Sequence, residues 1–235
     1  MNSKPPARRI DDISTRWSAV ADMNQFVLRY TPAMKCYLCA ILKDDDLARD
    51  VLQDFLTKVI ERGFGVGETR RGRFRDYLTK SVKNAAISFL RKRTTSTMDP
   101  ALLSNIESRT SQDDDWTRVW TQGLLDRAWR KLEDHQLSTP ENLYFTVLQF
   151  ATENSATKSS AAAAALSTPE RALTAASYRQ QLRRARVMFA DLLRAEVAET
   201  LSSDAPEDLE EELQSLGLMT YVKWALRSVH SLSGR

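Results

Sequence analysis

The sequence predicts an all-α protein with two helical domains joined by a flexible acidic linker, the second domain containing a helix-turn-helix. Only seven glycines and seven prolines occur in 235 residues. Apolar residues recur three and four positions apart through almost every long segment, which is the period of a helix, and strand-like alternation is nowhere sustained. Because 42% of the residues are apolar, the chain has enough material for at least one buried core.

Three helices are predicted in a first domain, residues 23–93, which follows an N-terminal tail, residues 1–22. The first helix has its apolar stripe at Phe26, Tyr30, Met34, Tyr37 or Leu38, and Ile41. It stops at the acidic run 44–46, where Asp45 or Asp46 is expected to cap the second helix. That helix buries Leu47, Val51, Phe55 and Val59 and ends at Gly63. The third buries Phe74, Leu78, Val82, Ala85 or Ala86, and Phe89, and its other side is basic.

A polar stretch, residues 94–114, contains Pro100 and is the predicted linker between the domains. The second domain, residues 115–201, begins with helically spaced tryptophans at 116, 120 and 129, which we interpret as core. Residues 158–166 are an alanine-rich short helix, and Thr174 caps a long helix that is basic in its first half. A short helix, a turn and a basic helix follow one another in a helix-turn-helix.

The last segment, residues 202–235, is predicted as a helical extension that is acidic in its first half. Three interpretations stay open for it: a packing helix that completes the second domain, an internal brake over the basic helix, or a binding site for a regulator. The interpretation of the acidic end of the linker also stays open, although such acidic runs are usually solvated tethers.

Charge is unevenly distributed along the chain. There are 34 Lys and Arg against 31 Asp and Glu, an excess too small to indicate nucleic acid by itself. Residues 62–93, however, contain ten basic and only two acidic side chains, and a basic block of this kind is typical of nucleic-acid-binding segments.

Several classes of function are disfavoured by what the sequence lacks. It has no glycine-rich phosphate loop, no serine elbow and no carboxylates at metal-ligand spacing, so we expect neither an enzyme nor a bound cofactor. Cys36 and Cys39 form a lone Cys-x-x-Cys in an apolar helical run, interpreted as small residues in or near the core, since a zinc or redox role needs two more ligands or a reactive setting. We expect no secretory signal or membrane segment, hence a cytoplasmic protein.

One face of the third helix combines the chemistry of single-strand recognition. Arg73, Tyr77, Lys80 and Asn84 follow at i, i+4, i+7 and i+11, with Arg91 at i+18. Cations bind phosphates, an aromatic ring stacks on an unpaired base, and an amide hydrogen-bonds a base edge. A solvated basic face is the alternative interpretation.

Two linked motifs give this face a context, one on the second helix and one that covers two stretches at the third. Residues 50–55 read Asp-Val-Leu-Gln-Asp-Phe, residues 72–78 read Gly-Arg-Phe-Arg-Asp-Tyr-Leu, and residues 84–91 read Asn-Ala-Ala-Ile-Ser-Phe-Leu-Arg. In this order, the segment 26–93 resembles the promoter-melting domain of extracytoplasmic-function sigma factors of bacterial RNA polymerase. Phe55 arrives one place early, and Tyr77 stands where the family often has Trp. Residues 116–216 resemble, more loosely, a subgroup with a longer promoter-reading domain.

The resemblance implies a sigma factor that directs polymerase to promoters and opens the minus-ten element, with no chemistry of its own. The implied partners are promoter DNA and core RNA polymerase, through the clamp helices of its largest subunit and its flap; an anti-sigma regulator is left open. The implied clamp-binding residues are Asp50, Gln53 and Asp54. The implied minus-ten residues are Arg73, Arg75, Tyr77, Lys80, Lys83, Asn84 and Arg91, with an extruded base captured near Asn84. The resemblance also allows the acidic linker to lie in the channel that later holds nascent RNA.

In the second domain, the resemblance makes residues 158–166 the support helix and Thr174 the start of the recognition helix for the minus-thirty-five element. The implied contacts to bases and phosphates are Ser177, Tyr178, Arg179, Gln181, Arg183, Arg184 and Arg186. Here the turn is about one helical turn longer than in the family, and the support helix is mostly alanine. Two rival hypotheses remain: an ordinary helix-turn-helix regulator, and a degenerate adaptor that binds polymerase but no longer reads a promoter.

Overall fold

The computed structural model describes residues 23–62, 73–93, 106, 113–201 and 203–223. Its named helices are α1 (Met23–Leu42), α2 (Asp45–Arg62), α3 (Phe74–Arg93), α4 (Asp113–Ser138), α5 (Tyr144–Glu153), α6 (Ser159–Ala165), α7 (Ala175–Ala198) and α8 (Pro206–Ser215). Among the described residues there is no strand, and extended pairing is limited to two isolated bridges, Arg73 with Leu201 and Thr168 with Arg171. The all-α prediction is confirmed.

The chain folds into two compact units. The first unit comprises Met1–Trp120 and Glu199–Asp208, and the second comprises Thr121–Ala198 and Leu209–Arg235. Most of the predicted linker, and the glycine-containing loop with Gly63, Arg70 and Arg71, lie outside the described residues. Ile106, inside the predicted linker, is described and is buried.

In the first unit, α1, α2 and α3 pack against one another. Their shared core contains Phe26, Tyr30, Met34, Leu38, Val51, Phe55, Phe74, Leu78, Val82 and Leu90. The beginning of α4 adds two tryptophans to it. The ring of Trp120 stacks on Tyr30 at a centroid distance of 5.0 Å, and Trp116 meets Tyr37 edge-on at 5.6 Å.

The two tryptophans mark a difference from the predicted domain division. The sequence grouped residues 115–201 together, whereas Trp116 and Trp120 are 1% and 3% exposed inside the first unit. Helical spacing identifies which face of α4 is apolar, but it does not identify which other segment of the chain packs against that face. The prediction that these side chains are core residues is correct for both.

In the second unit, α5 and α6 pack against α7. The core side chains of this unit include Leu124, Leu132, Val147, Ala162, Ala163, Tyr178, Phe189, Leu193 and Leu213. A fully buried carboxylate, Glu196, accepts a hydrogen bond of 2.6 Å from Nε of Arg127 and lies 2.5 Å from Nζ of Lys131. Because Arg127 and Lys131 are one turn apart on α4, this ion triad joins α4 to α7.

The structure confirms one predicted helix cap and corrects another. Thr174 caps α7 as predicted, since its Oγ1 accepts a 3.0 Å hydrogen bond from the amide of Ser177. The cap of α2 is Asp44, not Asp45 or Asp46. Its Oδ1 accepts a 2.9 Å hydrogen bond from the amide of Leu47, while Asp45 is already the first helical residue. The first of three adjacent carboxylates therefore lies at the capping position.

Candidate nucleic-acid interface

Helix α3 has two opposite faces. Phe74, Leu78, Val82, Ala86 and Leu90 recur every fourth residue and are buried. Asp76, Lys80, Asn84, Ser88 and Lys92 follow the same spacing on the other side and are exposed, as is Arg91, seven residues after Asn84. Since residues four apart lie on one side of a helix, the structure brings Lys80, Asn84 and Arg91 together on a single polar surface, as predicted. We call it the α3 outer face.

Tyr77 and Lys83 border the α3 outer face. Both side chains are half-buried. The Tyr77 ring stacks on Phe74, with centroids 6.4 Å apart and an interplanar angle of 25°, so one side of the ring is covered by the core. Arg73 precedes the helix, and its carbonyl accepts hydrogen bonds from the amides of Asp76 and Tyr77 at 3.1 and 3.3 Å.

Arg75 does not lie on the α3 outer face, and the predicted DNA contact at this position is corrected. The residue is 8% exposed. It is spaced three and seven residues before Leu78 and Val82, so it points toward the same side as these core residues. Its guanidinium donates a 3.2 Å hydrogen bond to Oγ1 of Thr117. Arg75 therefore links α3 to the first turns of α4.

The outer face of α2 presents the residues predicted to bind polymerase. Asp50 and Gln53 are exposed. Asp54 is half-buried and forms an ion pair with Lys58 one turn later. Ile60, further along the helix, is 60% exposed. Asp50, Gln53 and Ile60 are therefore accessible from solvent along α2.

Helix α7 exposes only part of the predicted promoter-reading set. Arg179 and Arg184 are exposed, whereas Ser177, Gln181, Arg183 and Arg186 are half-buried. Gln180, which the sequence analysis did not single out, is exposed between the two arginines. Oε1 of Gln181 accepts a hydrogen bond from the amide of Leu143 at 3.3 Å, and Ser177 takes part in the cap described above.

The predicted DNA contact at Tyr178 is corrected, because its side chain lies in the core of the second unit. It is 4% exposed, and burial raises the pKa of its hydroxyl. The same low-polarity surroundings lower the pKa of Arg186 through burial. Tyr178 therefore supports α7 from within the second unit and is not available to contact bases directly.

The long turn between α6 and α7 is held by side-chain hydrogen bonds. Oγ of Ser167 donates to the carbonyl of Ala163 at 2.8 Å and accepts from the amide of Leu173 at 2.9 Å. Thr168 and Arg171 exchange backbone hydrogen bonds of 3.0 and 3.1 Å. The turn that the sequence showed as unusually long is thus an ordered connection between the two helices.

Arg171 also ties this turn to the segment before α5. Nη1 of Arg171 donates a 2.9 Å hydrogen bond to the carbonyl of Pro140, and Nη2 donates to the carbonyl of Glu141. A guanidinium is suited to this because its planar fork presents several donors in fixed directions. Arg171 cannot be singled out from the sequence, since nothing there indicates which distant carbonyls a turn arginine contacts.

The two cysteines are half-buried, and both are free thiols. Sγ of Cys39 donates a 3.3 Å hydrogen bond to Oδ1 of Asp45. Burial, together with this carboxylate, raises the pKa of the Cys39 thiol, which disfavours the reactive thiolate. In the part of the chain that the structure describes, no three or more His, Cys, Asp or Glu side chains cluster in a way that could hold a metal ion.

Comparisons with protein-family models, with curated proteins and with solved structures gave no match. Among the described helices, none has both the length and the apolar character needed to cross a lipid bilayer.

Proposed function

We propose that this protein is a sigma-type transcription initiation factor, which directs bacterial RNA polymerase to promoters and stabilises the opened minus-ten element. The division of α3 supports the proposal most strongly. Residues of α3 separate into a buried stripe and the α3 outer face, with Lys80, Asn84 and Arg91 exposed together. Sequence resemblance and surface chemistry thus point to one helix.

The chemistry of the α3 outer face fits a single strand better than a duplex. Ammonium and guanidinium groups at Lys80 and Arg91 offer phosphate contacts, while the Asn84 amide offers both a donor and an acceptor to an unpaired base edge. Tyr77, at the border, is a half-buried aromatic side chain of the kind that stacks on bases, a contact worth roughly 1–3 kcal/mol per base. No step of this function requires a cofactor from the protein.

In the proposal, α2 provides the polymerase contact through Asp50 and Gln53, with the Asp54 and Lys58 pair beside them. The first unit would then join two partners through neighbouring helices, since α2 packs directly against α3. A factor of this kind works in the cytoplasm, where polymerase and chromosomal DNA are found. An ordinary duplex-binding regulator would leave this arrangement of α2 and α3 unused.

The second unit supports a duplex contact. Arg179, Gln180 and Arg184 form an exposed polar group in the first half of α7, and such groups bind phosphates and base edges in a major groove. Their exposure favours the full sigma function over the degenerate adaptor, whose α7 would have no need of an open basic surface.

Run-off transcription tests the proposal. Purified core polymerase is combined with the wild-type chain, with Asn84→Ala, or with Gln214→Ala, which removes an exposed amide on α8 as a matched control. Genomic fragments serve as templates. We expect transcripts that depend on the wild-type chain, share an upstream motif, and weaken only with Asn84→Ala. Polymerase binding without transcripts would indicate the adaptor, and neither binding nor transcripts would refute the proposal.

A further inference from the structure

The first unit is completed by a segment from far along the chain. Residues Glu199–Asp208 follow α7 but belong to the first unit. We call them the return segment. Within it, Thr200 and Leu201 are 2% and 4% exposed. Thr200 and Leu201 therefore pack within the first unit, a position that no pattern in the sequence indicates.

The return segment pairs with the backbone at the beginning of α3. The carbonyl of Thr200 accepts a 3.2 Å hydrogen bond from the amide of Phe74, and Leu201 forms an antiparallel bridge with Arg73. The first amides of a helix have no partner within the helix itself. The return segment supplies one for Phe74, the first residue of α3, and fixes the backbone of Arg73 just before it.

An ion pair secures the same segment to α1. Nη1 of Arg29 lies 2.7 Å from Oε2 of Glu199, and both side chains are largely shielded from solvent. The neighbours of Arg29 on α1 are Phe26 and Tyr30, whose rings meet Phe74 at 6.5 and 5.1 Å. The start of α3 is therefore held from two directions, by aromatic packing on α1 and by the return segment that α1 binds.

We propose that Glu199 is a positioning residue for single-strand binding: its ion pair with Arg29 holds the return segment on Arg73 and Phe74 and so fixes the start of α3. This inference rests on the proposed function, because it concerns the surface that would bind the opened strand. Its consequence is that a residue after α7, remote in sequence from the α3 outer face, sets the affinity of that face for single-stranded DNA.

The test uses charge reversal in the full-length chain. Glu199→Arg, Arg29→Glu and the double variant with both changes are compared with the wild type. The probe is a fluorescein-labelled single-stranded oligonucleotide of random sequence, followed by fluorescence anisotropy. Glu199→Arg adds positive charge, so electrostatics alone predicts tighter binding. Positioning predicts weaker binding, on the order of fivefold to tenfold, as for loss of one hydrogen bond of ordinary strength.

The double variant and the binding of other partners complete the test. The double variant restores an ion pair of opposite polarity at unchanged net charge, and we expect it to recover most of the wild-type affinity. Binding of double-stranded DNA and of core polymerase should not weaken in Glu199→Arg or in the double variant, which a general loss of folding would not allow. If Glu199→Arg unfolds the chain, Glu199→Gln provides the milder break, with the same direction expected.

The outcomes separate the two proposals. A wild-type chain that does not bind the single strand overturns the positioning role together with the surface on which it acts. A wild-type chain that binds, with Glu199→Arg binding equally well or more tightly, overturns the positioning role alone and leaves the proposed function standing. Weaker binding in both single variants with recovery in the double variant supports the inference.

Discussion

Nε of Arg127 donates a 2.6 Å hydrogen bond to Oε2 of Glu196, a carboxylate with no exposed surface. Burial by itself would raise the pKa of Glu196, but the hydrogen bonds and charges of Lys131 and Arg127 outweigh it and lower the pKa. Charged groups buried in this way are costly unless they are paired. The triad therefore makes the packing of α4 on α7 dependent on one ionised side chain.

Glu196→Gln should destabilise the second unit. The substitution keeps the shape but removes the negative charge, leaving Arg127 and Lys131 facing a neutral amide. We expect a loss of about 3 kcal/mol in the free energy of unfolding, the lower end of the cost of breaking a buried ion pair. Urea denaturation followed by circular dichroism measures it, and Gln214→Ala on the exposed side of α8 serves as the control.

The difference in the free energy of unfolding between the wild type and Glu196→Gln should depend on pH. Because the folded pKa of Glu196 lies below its ordinary value of 4.5, its contribution to stability is complete above that pH. The contribution is lost as the pH falls through the folded pKa. The stability difference between wild type and Glu196→Gln should therefore shrink below pH 4.5. A difference that stays constant there would contradict a stabilising charge on Glu196.

Arg171→Lys should weaken duplex binding without affecting single-strand binding. Lysine keeps the charge but lacks the planar fork, so it cannot reach both the Pro140 and Glu141 carbonyls in the same way. We expect affinity for double-stranded promoter DNA to fall on the order of tenfold, equal to about 1.4 kcal/mol. Arg130→Lys is the matched control, because Arg130 is exposed and contacts a carbonyl within its own helix. Equal losses in both variants would refute an ordering role for Arg171.

Replacing Arg179 and Arg184 together with Ala should lower duplex affinity and its salt dependence. Each phosphate contact that is removed reduces the slope of log affinity against log salt by about one, hence by about two for this variant. Arg118→Ala with Arg130→Ala removes two exposed arginines of α4 and controls for the change in net charge. Fluorescence anisotropy measured over a range of salt concentrations gives the slope for each of the two double variants. Indistinguishable slopes would show that α7 does not contact the duplex.

Tyr178→Phe should leave duplex affinity within about twofold of the wild type, since the buried side chain does not reach the surface. Tyr178→Ala, in contrast, should cost about 3–5 kcal/mol of stability, as other large aromatic deletions from cores do. Thermal unfolding and DNA binding measured on the same samples separate the two effects. A specific loss of duplex binding in the Phe variant, at unchanged stability, would mean that the hydroxyl contacts DNA after all.

The sequence predicted the local features of the fold well. Apolar spacing located the helices, and Thr174 was identified as the cap of α7 because a hydroxyl at that position satisfies a free amide. The two faces of α3 followed from the same periodicity, so Lys80 and Asn84 were found on one surface. These features depend on residues close together in the chain, and side-chain chemistry alone determines them.

Features that depend on distant residues were not predicted. Helical spacing places Arg75 on the side of Leu78 and Val82, and Tyr178 on the side of Ala185 and Phe189, but both side chains carry polar groups, and only packing against another segment decides that they are buried. The pairing of Leu201 with Arg73 involves two short extended pieces with no alternation to indicate them. The partners of Trp116 and Trp120 were likewise undetermined, because an apolar stripe shows that a helix is covered without showing by what.

In the proposed function, this chain, bound to core polymerase, opens promoter DNA. Permanganate footprinting measures this directly, because the reagent oxidises thymines that are unpaired and unstacked. On a fragment that supports transcription, we predict a reactive patch upstream of the start site only when polymerase and the wild-type chain are both present, and a weaker patch with Asn84→Ala. Fully protected thymines under conditions where the ternary complex forms would contradict the account.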